Sequence, residues 1–337
     1  MSAFQESPID IVIPWVDGND PKWQREKDQY LVAGPHSSRQ IGNEDEKKDV
    51  RFRDFGLFKY TIMSILRFAP WVNRVFVVTM NQELPFETGS DKVTVIDHRD
   101  FIPDPYLPTF NSNSIEMNIH RIPNLAEKFI LFNDDFIFNA PVSEEDYFIN
   151  NIPKDCFGLK PIAPTLGGIG AIESNDVAII NSLVQKNTVI KKQFAKLFSP
   201  KNGLFSLIET ICTLPWRHFV GFQNTHLATP YLRSEFIEFW HLEGDLLDKT
   251  CREKFRSGND ISHWAIRYLR LVKGKFVPQN ISFGKYYDLS LTSLETLENE
   301  LMNEKHKIVC LNDVPDMDTS KIIPFLSSLL IRKFEEG

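Results

Sequence analysis

Short apolar runs that stop abruptly on acidic or Asn-containing turns recur along the first half of this 337-residue chain. Ile9–Trp15 (IDIVIPW) ends on Val16-Asp17-Gly18-Asn19-Asp20-Pro21, and Phe129–Phe132 (FILF) ends on Asn133-Asp134-Asp135. Arg74–Thr79 (RVFVVT) and Val93–Ile96 (VTVI) share the β-rich composition. Runs this short, bounded by turn formers, read as buried strands. Between them, Leu57–Phe68 carries apolar residues at helical spacing and stops at Ala69-Pro70. Asn113-Ser114-Ile115-Glu116 looks like the capped start of a helix ending near Ile122-Pro123. Strands alternating with helices predict an α/β fold with a mostly parallel sheet. Ligands of such sheets gather beyond the carboxyl ends of the strands, and Asp17 and the Asp134–Asp135 pair both fall there.

The rest of the chain is less strand-like. Asp20–Val50 is polar and charged and reads as a flexible excursion. Asp176–Phe198 is helical in pattern, Pro200–Gly203 breaks it, and 205–272 is mainly helical. A charged stretch, Glu295–Lys307, precedes a β-like run at Lys307–Leu311, and an amphipathic helix is expected around Lys321–Phe334. This divides the chain into an α/β core over 1–150 and a mainly helical part over 151–337 that completes the same unit.

Lys and Arg number 38 against 45 Asp and Glu. That balance argues against a nucleic-acid surface, where a basic stripe is expected. It leaves a phosphate ligand open, because a few cations in a cleft suffice. Cys156, Cys212, Cys251 and Cys310 are scattered with no CxxC pair, which suggests reduced thiols in a cytosol. No basic-then-apolar leader opens the sequence and no run reaches 18 apolar residues, so neither a signal peptide nor a membrane span is expected.

Adjacent carboxylates after a buried strand suit Mg²⁺ or Mn²⁺ bridging a diphosphate. An Asn-Asp turn is the competing reading, and spacing alone leaves the two even; Asp17 on a second strand favours the metal. Glu116 and His120 stand four apart, so they share one face of the expected helix, either toward a ligand or toward solvent. Arg53 and Arg121 suit bidentate phosphate contacts or a plain surface role. His226 lies in an irregular Asn-Thr-His-Leu-Ala-Thr-Pro segment, where a structural role is the commoner one. Arg256 opens an expected helix whose N–H groups suit an anion, with Asn259 or Asp260 as its cap. Lys191, Lys192 and Lys196 form a solvated face.

Read in order, these segments resemble the Stealth family of sugar-phosphate transferases, which includes bacterial capsule phosphotransferases and the animal enzyme that starts the mannose-6-phosphate tag. The first block is Ile9 to Pro21. The second runs from Arg51-Phe52-Arg53-Asp54 through Ala69-Pro70-Trp71-Val72, Leu107 to Ile122 and Phe132 to Asp135. The third holds His226 and Arg256 with Asp260, and the fourth is Ile308 to Asp313. After Asp54 the family pattern has an acidic residue and then Ser-Leu-Arg-Ser. Here those positions are Leu57 and Thr61-Ile62-Met63-Ser64, which implies a different hold on the donor from this helix.

The resemblance implies a modified nucleotide-sugar transferase core, GT-A-like or Rossmann-like, with the donor bound by residues 1–150 and the acceptor on the side of 151–337. It implies transfer of a hexose-1-phosphate, for example GlcNAc-1-phosphate, from a UDP-hexose to a glycan hydroxyl with release of UMP. The acceptor would be a lipid-linked oligosaccharide or growing polysaccharide, in capsule or exopolysaccharide synthesis. The enzyme would be cytoplasmic or peripheral at the inner face of the membrane. Asp134 and Asp135 would hold Mg²⁺ or Mn²⁺, His226 would act as general base and Arg256 would neutralise phosphate charge, with Asp17 nearby. Arg53, Asp54, Asn111, Glu116, His120, Arg121, Asn133, Asp260, Asn312 and Asp313 would shape the substrate pocket. A metal-dependent glycosyltransferase releasing UDP and an inactive glycan-binding homologue remain as alternatives.

Overall fold

The computed structural model describes residues 7–33, 52, 55–164, 168–314, 317 and 319–336. Arg53, Asp54 and most of the polar excursion before them lie outside the described residues. In chain order the first half contains β1 (Ile9–Pro14), α1 (Pro21–Ala33), α2 (Phe58–Phe68), β2 (Val75–Thr79), β3 (Val93–Asp97), α3 (Ser112–Asn118), β4 (Lys128–Leu131), β5 (Phe136–Phe138) and β6 (Phe148–Ile149). There follow β7 (Ile152–Asp155), α4 (Gly170–Leu183), α5 (Lys186–Leu197), α6 (Leu204–Thr213), β8 (Thr229–Leu232), α7 (Arg233–Arg252) and α8 (Trp264–Lys273). The chain closes with β9 (Val277–Pro278), β10 (Gly284–Asp288), α9 (Leu294–Met302), β11 (Ile308–Asn312) and α10 (Thr319–Phe334).

The central sheet has the order β3-β2-β1-β4-β8. Its first three pairings are parallel and the last, β4 with β8, is antiparallel. Parallel strands in the order 3-2-1-4 are the doubly wound arrangement of α/β proteins, so the expected fold class is present. Both faces of this sheet are covered, as a parallel sheet requires. Alternation along β1 sends Ile9, Ile11 and Ile13 into one core with α2, α9 and α10, and Val12 into a second core with α4, α7 and α8.

A second sheet, β10-β11-β5, joins the chain's end to its first half. β11 runs parallel to β10 and antiparallel to β5. The chain therefore leaves the central sheet at Leu131 and enters the second sheet at Phe136, and Asn133, Asp134 and Asp135 span that handover. The Leu311 amide donates to the Asp135 carbonyl at 2.9 Å, which ties the turn to β11.

Several local expectations change. Pro21–Ala33 is helical, with Pro21 at its first position, where a missing N–H costs nothing. The helix expected to begin near Asn113 begins at Ser112, because extended Asn111 accepts from the Asn113 amide at 3.0 Å. It then tightens into a 3₁₀ turn at Ile119–Arg121. The mainly helical stretch contains strand β8, whose Pro230 is tolerated because the strand lies at a sheet edge. No helix opens at Arg256: residues 253–263 form a loop before α8.

Candidate active site

A cavity of about 630 Å³ opens at the carboxyl ends of β1, β4 and β11. It is lined by Asn133, Asp134 and Asp135 after β4, Glu116 on α3, His226 before β8, Arg256 in the loop before α8, and Asn312 and Asp313 at the end of β11. Eight of the residues singled out in the sequence thus come together from five separate segments. Leu57 and Thr61, the positions that depart from the family pattern, also line it. Thr61 is fully buried and its hydroxyl donates to the Asp134 carbonyl at 2.8 Å. Ser64 accepts from the Phe138 amide at 3.0 Å. Helix α2 therefore braces the acidic turn through the Thr61 hydroxyl and the end of β5 through that of Ser64.

One wall is built around Asp135. Its Oδ2 accepts from the Cys310 thiol at 3.2 Å, while its buried Oδ1 has no hydrogen-bond partner. Ligand atoms of Asp135, Cys310 and His226 lie within 4.8 Å of one another. Burial pushes the Asp135 carboxyl above its ordinary range, and His226 opposes that shift. Burial, reinforced by Asp135, pushes the Cys310 thiol well up, so without an ion the sulfur is a protonated donor to Asp135. The unpartnered Asp135 oxygen, beside Asp134, is a hard donor of the kind Mg²⁺ and Mn²⁺ prefer. The residues present fit such an ion.

His226 has φ of +49°, in the left-handed region uncommon for a residue with a Cβ. Its ring is held edge-on between Phe136 and Tyr286, with centroids 5.8 and 5.5 Å away. Two aromatic walls fix the ring's plane without occupying its nitrogens. Strain of this kind persists only where surrounding structure enforces it.

Glu116 and Arg256 also line the cavity. Burial pushes the Glu116 carboxyl up to about 7, with Arg256 pulling the other way. His263 Nε2 stands 3.8 Å from Glu116, yet burial, helped by Arg267, drives that imidazole down to about 3. A neutral imidazole facing a half-protonated carboxyl is not an ion pair. His263 Nδ1 is paired with the Tyr231 hydroxyl at 2.7 Å. Arg256 bonds to Ser112 at the first turn of α3.

Asn111 and Asp260 do not line the cavity; they hold it together. Asp260 Oδ2 accepts from Asn111 and Asn113 at 2.8 and 3.0 Å and from the Ser257 amide at 3.0 Å. These bonds pin the Arg256 loop against the start of α3. Asp17 lies beside the mouth, outside the lining, although its neighbours Trp15 and Val16 are part of it. It accepts from the Asn19 amide at 2.9 Å in a local turn.

His120 and Arg121 are elsewhere. The 3₁₀ turn rotates His120 away from the Glu116 face, and its buried ring packs against Phe236 and Trp240 at 5.9 and 6.1 Å. Exposed Arg121 lies over Trp240 at 5.0 Å. Sequence reading passed over Cys310, Thr61, Ser112 and His263 as site residues. Cys310 and Ser112 lay within the family-like blocks, whereas nothing local marks His263.

The model for Stealth protein conserved region 1 matches residues 7–31, and that for conserved region 2 matches residues 51–155. The capsular polysaccharide phosphotransferase WcwK of Streptococcus pneumoniae is 37% identical over 330 residues, 97% of this chain and 95% of that protein. The receptor polysaccharide phosphotransferase WefC of Streptococcus oralis is 36% identical over 90% of each chain. The exopolysaccharide phosphotransferase cps2G of Lactiplantibacillus plantarum is 36% identical over 92% of this chain and 89% of that one. Among solved structures, the galactosyltransferase LgtC aligns over 95% of both chains at 9% identity and a TM-score of 0.39, too shallow a likeness to argue from. With relatives of this identity along nearly their whole length, and both conserved regions in place, the chain belongs to the Stealth family.

Proposed function

We propose that this chain is a sugar-phosphate transferase of capsular or exopolysaccharide synthesis, moving a hexose-1-phosphate such as GlcNAc-1-phosphate from a UDP-sugar to a glycan hydroxyl. The observation that carries the reading is His226 against Asp135 on one wall of the cavity, with Arg256 also lining it. The named phosphotransferase relatives support the same chemistry.

In this reading the acceptor oxygen attacks the phosphorus that bears the sugar. The bond from that phosphorus to the bridging oxygen breaks and UMP leaves, while the acceptor proton passes to His226. A ring held by two aromatic walls delivers its nitrogen to one place, which is what a positioned base requires. Arg256 neutralises charge on the transferring phosphoryl group. Glu116, largely protonated below about pH 7, donates to a donor oxygen without adding a repulsive charge. Asp134 and Asp135 are the residues that would hold Mg²⁺ or Mn²⁺, which neutralises diphosphate charge when bound. Among the described residues no helix is long and apolar enough to cross a membrane, and the proposed acceptor is a lipid-linked or growing polysaccharide met at the cytoplasmic face.

The released nucleotide tests the reading. UMP, with a product heavier by hexose plus phosphate, supports it; UDP, with a product heavier by hexose alone, replaces it with glycosyl transfer. Turnover that survives exhaustive dialysis against EDTA removes the metal from the scheme.

A further inference from the structure

Helix α6 is inside out. Its buried side chains are Ser206, Thr210 and Thr213, exposed by 4%, 0% and 1%. The outward ones are Leu204, Phe205, Ile208 and Ile211, exposed by 76%, 74%, 49% and 54%, followed by Trp216 at 57%. Surface helices ordinarily turn their apolar stripe to the core. The inward face is small for a structural reason: a Cβ on Gly158 would meet the Ser206 hydroxyl at 2.2 Å, so α6 lies directly on the 156–160 backbone. Thr210 accepts from the Leu159 amide at 2.9 Å and fixes that approach. Close approach explains the small residues inside. It does not explain large apolar ones outside, where polar residues would serve folding equally well.

Charge on the same stretch is lopsided. Between 186 and 218 the acidic side chain is Glu209, half-exposed, in a chain of net charge −7. Against it stand exposed Lys191, Lys192, Lys201 and Arg217. Lys201 lies three residues before Leu204, where the apolar face begins, and Arg217 immediately follows Trp216. Lys186 points inward and donates to the Thr213 and Trp216 carbonyls at 2.7 and 2.8 Å, which secures the end of the helix.

We propose that α6 and the Pro215–His218 segment form a docking face for an anionic lipid surface. Aromatic and aliphatic side chains would enter the interfacial layer while Lys201 and Arg217 meet the headgroups, the usual composition of interfacial helices. A second copy of the chain is a poorer occupant, because a two-fold contact through this face sets its basic flanks against themselves.

Vesicle flotation of the full chain tests it. The protein should float with vesicles of equal parts phosphatidylcholine and phosphatidylglycerol and should float poorly with phosphatidylcholine alone. The triple variant Phe205→Ser/Ile208→Ser/Trp216→Ser should lose binding by more than about tenfold. Lys201→Glu/Arg217→Glu should erase the preference for anionic lipid. Melting temperature and turnover on a water-soluble acceptor should stay unchanged in both. Cys212 on the same helix is exposed and the other three cysteines are buried, so a depth-sensitive fluorophore placed there should report an apolar environment on vesicle addition. Equal flotation of wild type and triple variant overturns the proposal. So does sedimentation showing a wild-type dimer that the triple variant abolishes.

Discussion

Among the described residues, the buried charged groups around Asp155 and those around Asp135 and Glu116 are finished differently. In the first, Asp155 lies between Arg267 and Arg270, each 2.7 Å away, and Arg270 reaches Glu235 at 3.0 Å. Asp155 also accepts from the Cys156 amide at 2.7 Å, so both its oxygens are engaged. Burial alone would raise that carboxyl; the two guanidinium groups outweigh it and hold it below its ordinary value. In the second cluster Asp135 has one oxygen without a partner, and burial wins over His226. Glu116 likewise rises, with Arg256 too weak a counterweight. A network that engages both Asp155 oxygens fastens β7 to α7 and α8, although Arg270 Nε has no partner in it and burial still raises Glu235. An open one, facing a cavity, keeps capacity for a ligand at a standing cost in stability.

Breaking each cluster should therefore give opposite signatures. The largest effect is expected at His226→Ala, which should lower kcat by about 10²–10⁴-fold with a near-native melting temperature. A parallel fall of stability and turnover would move His226 into the structural class. Next, Asp155→Ala should destabilise the fold by about 3–5 kcal/mol, because it strands two buried cations. Denaturant titration reads this directly, and a loss under about 1 kcal/mol would show that water replaces the carboxylate.

Glu116 sharpens the contrast through pH. Its native pKa of about 7 stands above its ordinary value of 4.5, so the folded state keeps a proton that the unfolded state has released. Stability should fall as pH rises from about 4.5 to 7, by roughly 3 kcal/mol in all, and level off above. Glu116→Gln should remove that slope, which thermal melts across the range will register. The smallest effect is expected at Thr61→Val, which deletes the bond to the Asp134 carbonyl for about 1–2 kcal/mol. If α2 braces the acidic turn, turnover should fall more than stability does.

Much of the central sheet was legible because its signals are local. β1, β2, β3 and β4 are apolar runs ending in turn residues, and the acidic turn after β4 stands where a site is expected. Other elements carry no such mark. β5 is three residues long and β8 contains a proline, so neither shows a period. Glu116 and His120 were expected to share a face on the assumption that the helix continues. The tightening after Asn118 is set by packing of His120 against α7, which no local pattern records. His263 entered the site through the fold alone, carried there by its contact with Tyr231 on β8.

By itself, then, the sequence determined the alternation of strands and helices, the placing of Asp17 and Asp134–Asp135 at strand ends, and family membership through blocks in order. Those are properties of neighbouring residues, where side-chain size and turn chemistry act within a few positions. Only the tertiary structure decided which buried charges are closed into a network and which are left open toward a cavity. That distinction depends on whether a partner from a distant segment arrives within hydrogen-bond reach. For Asp155 two arginines do; for one oxygen of Asp135 nothing in the described chain does.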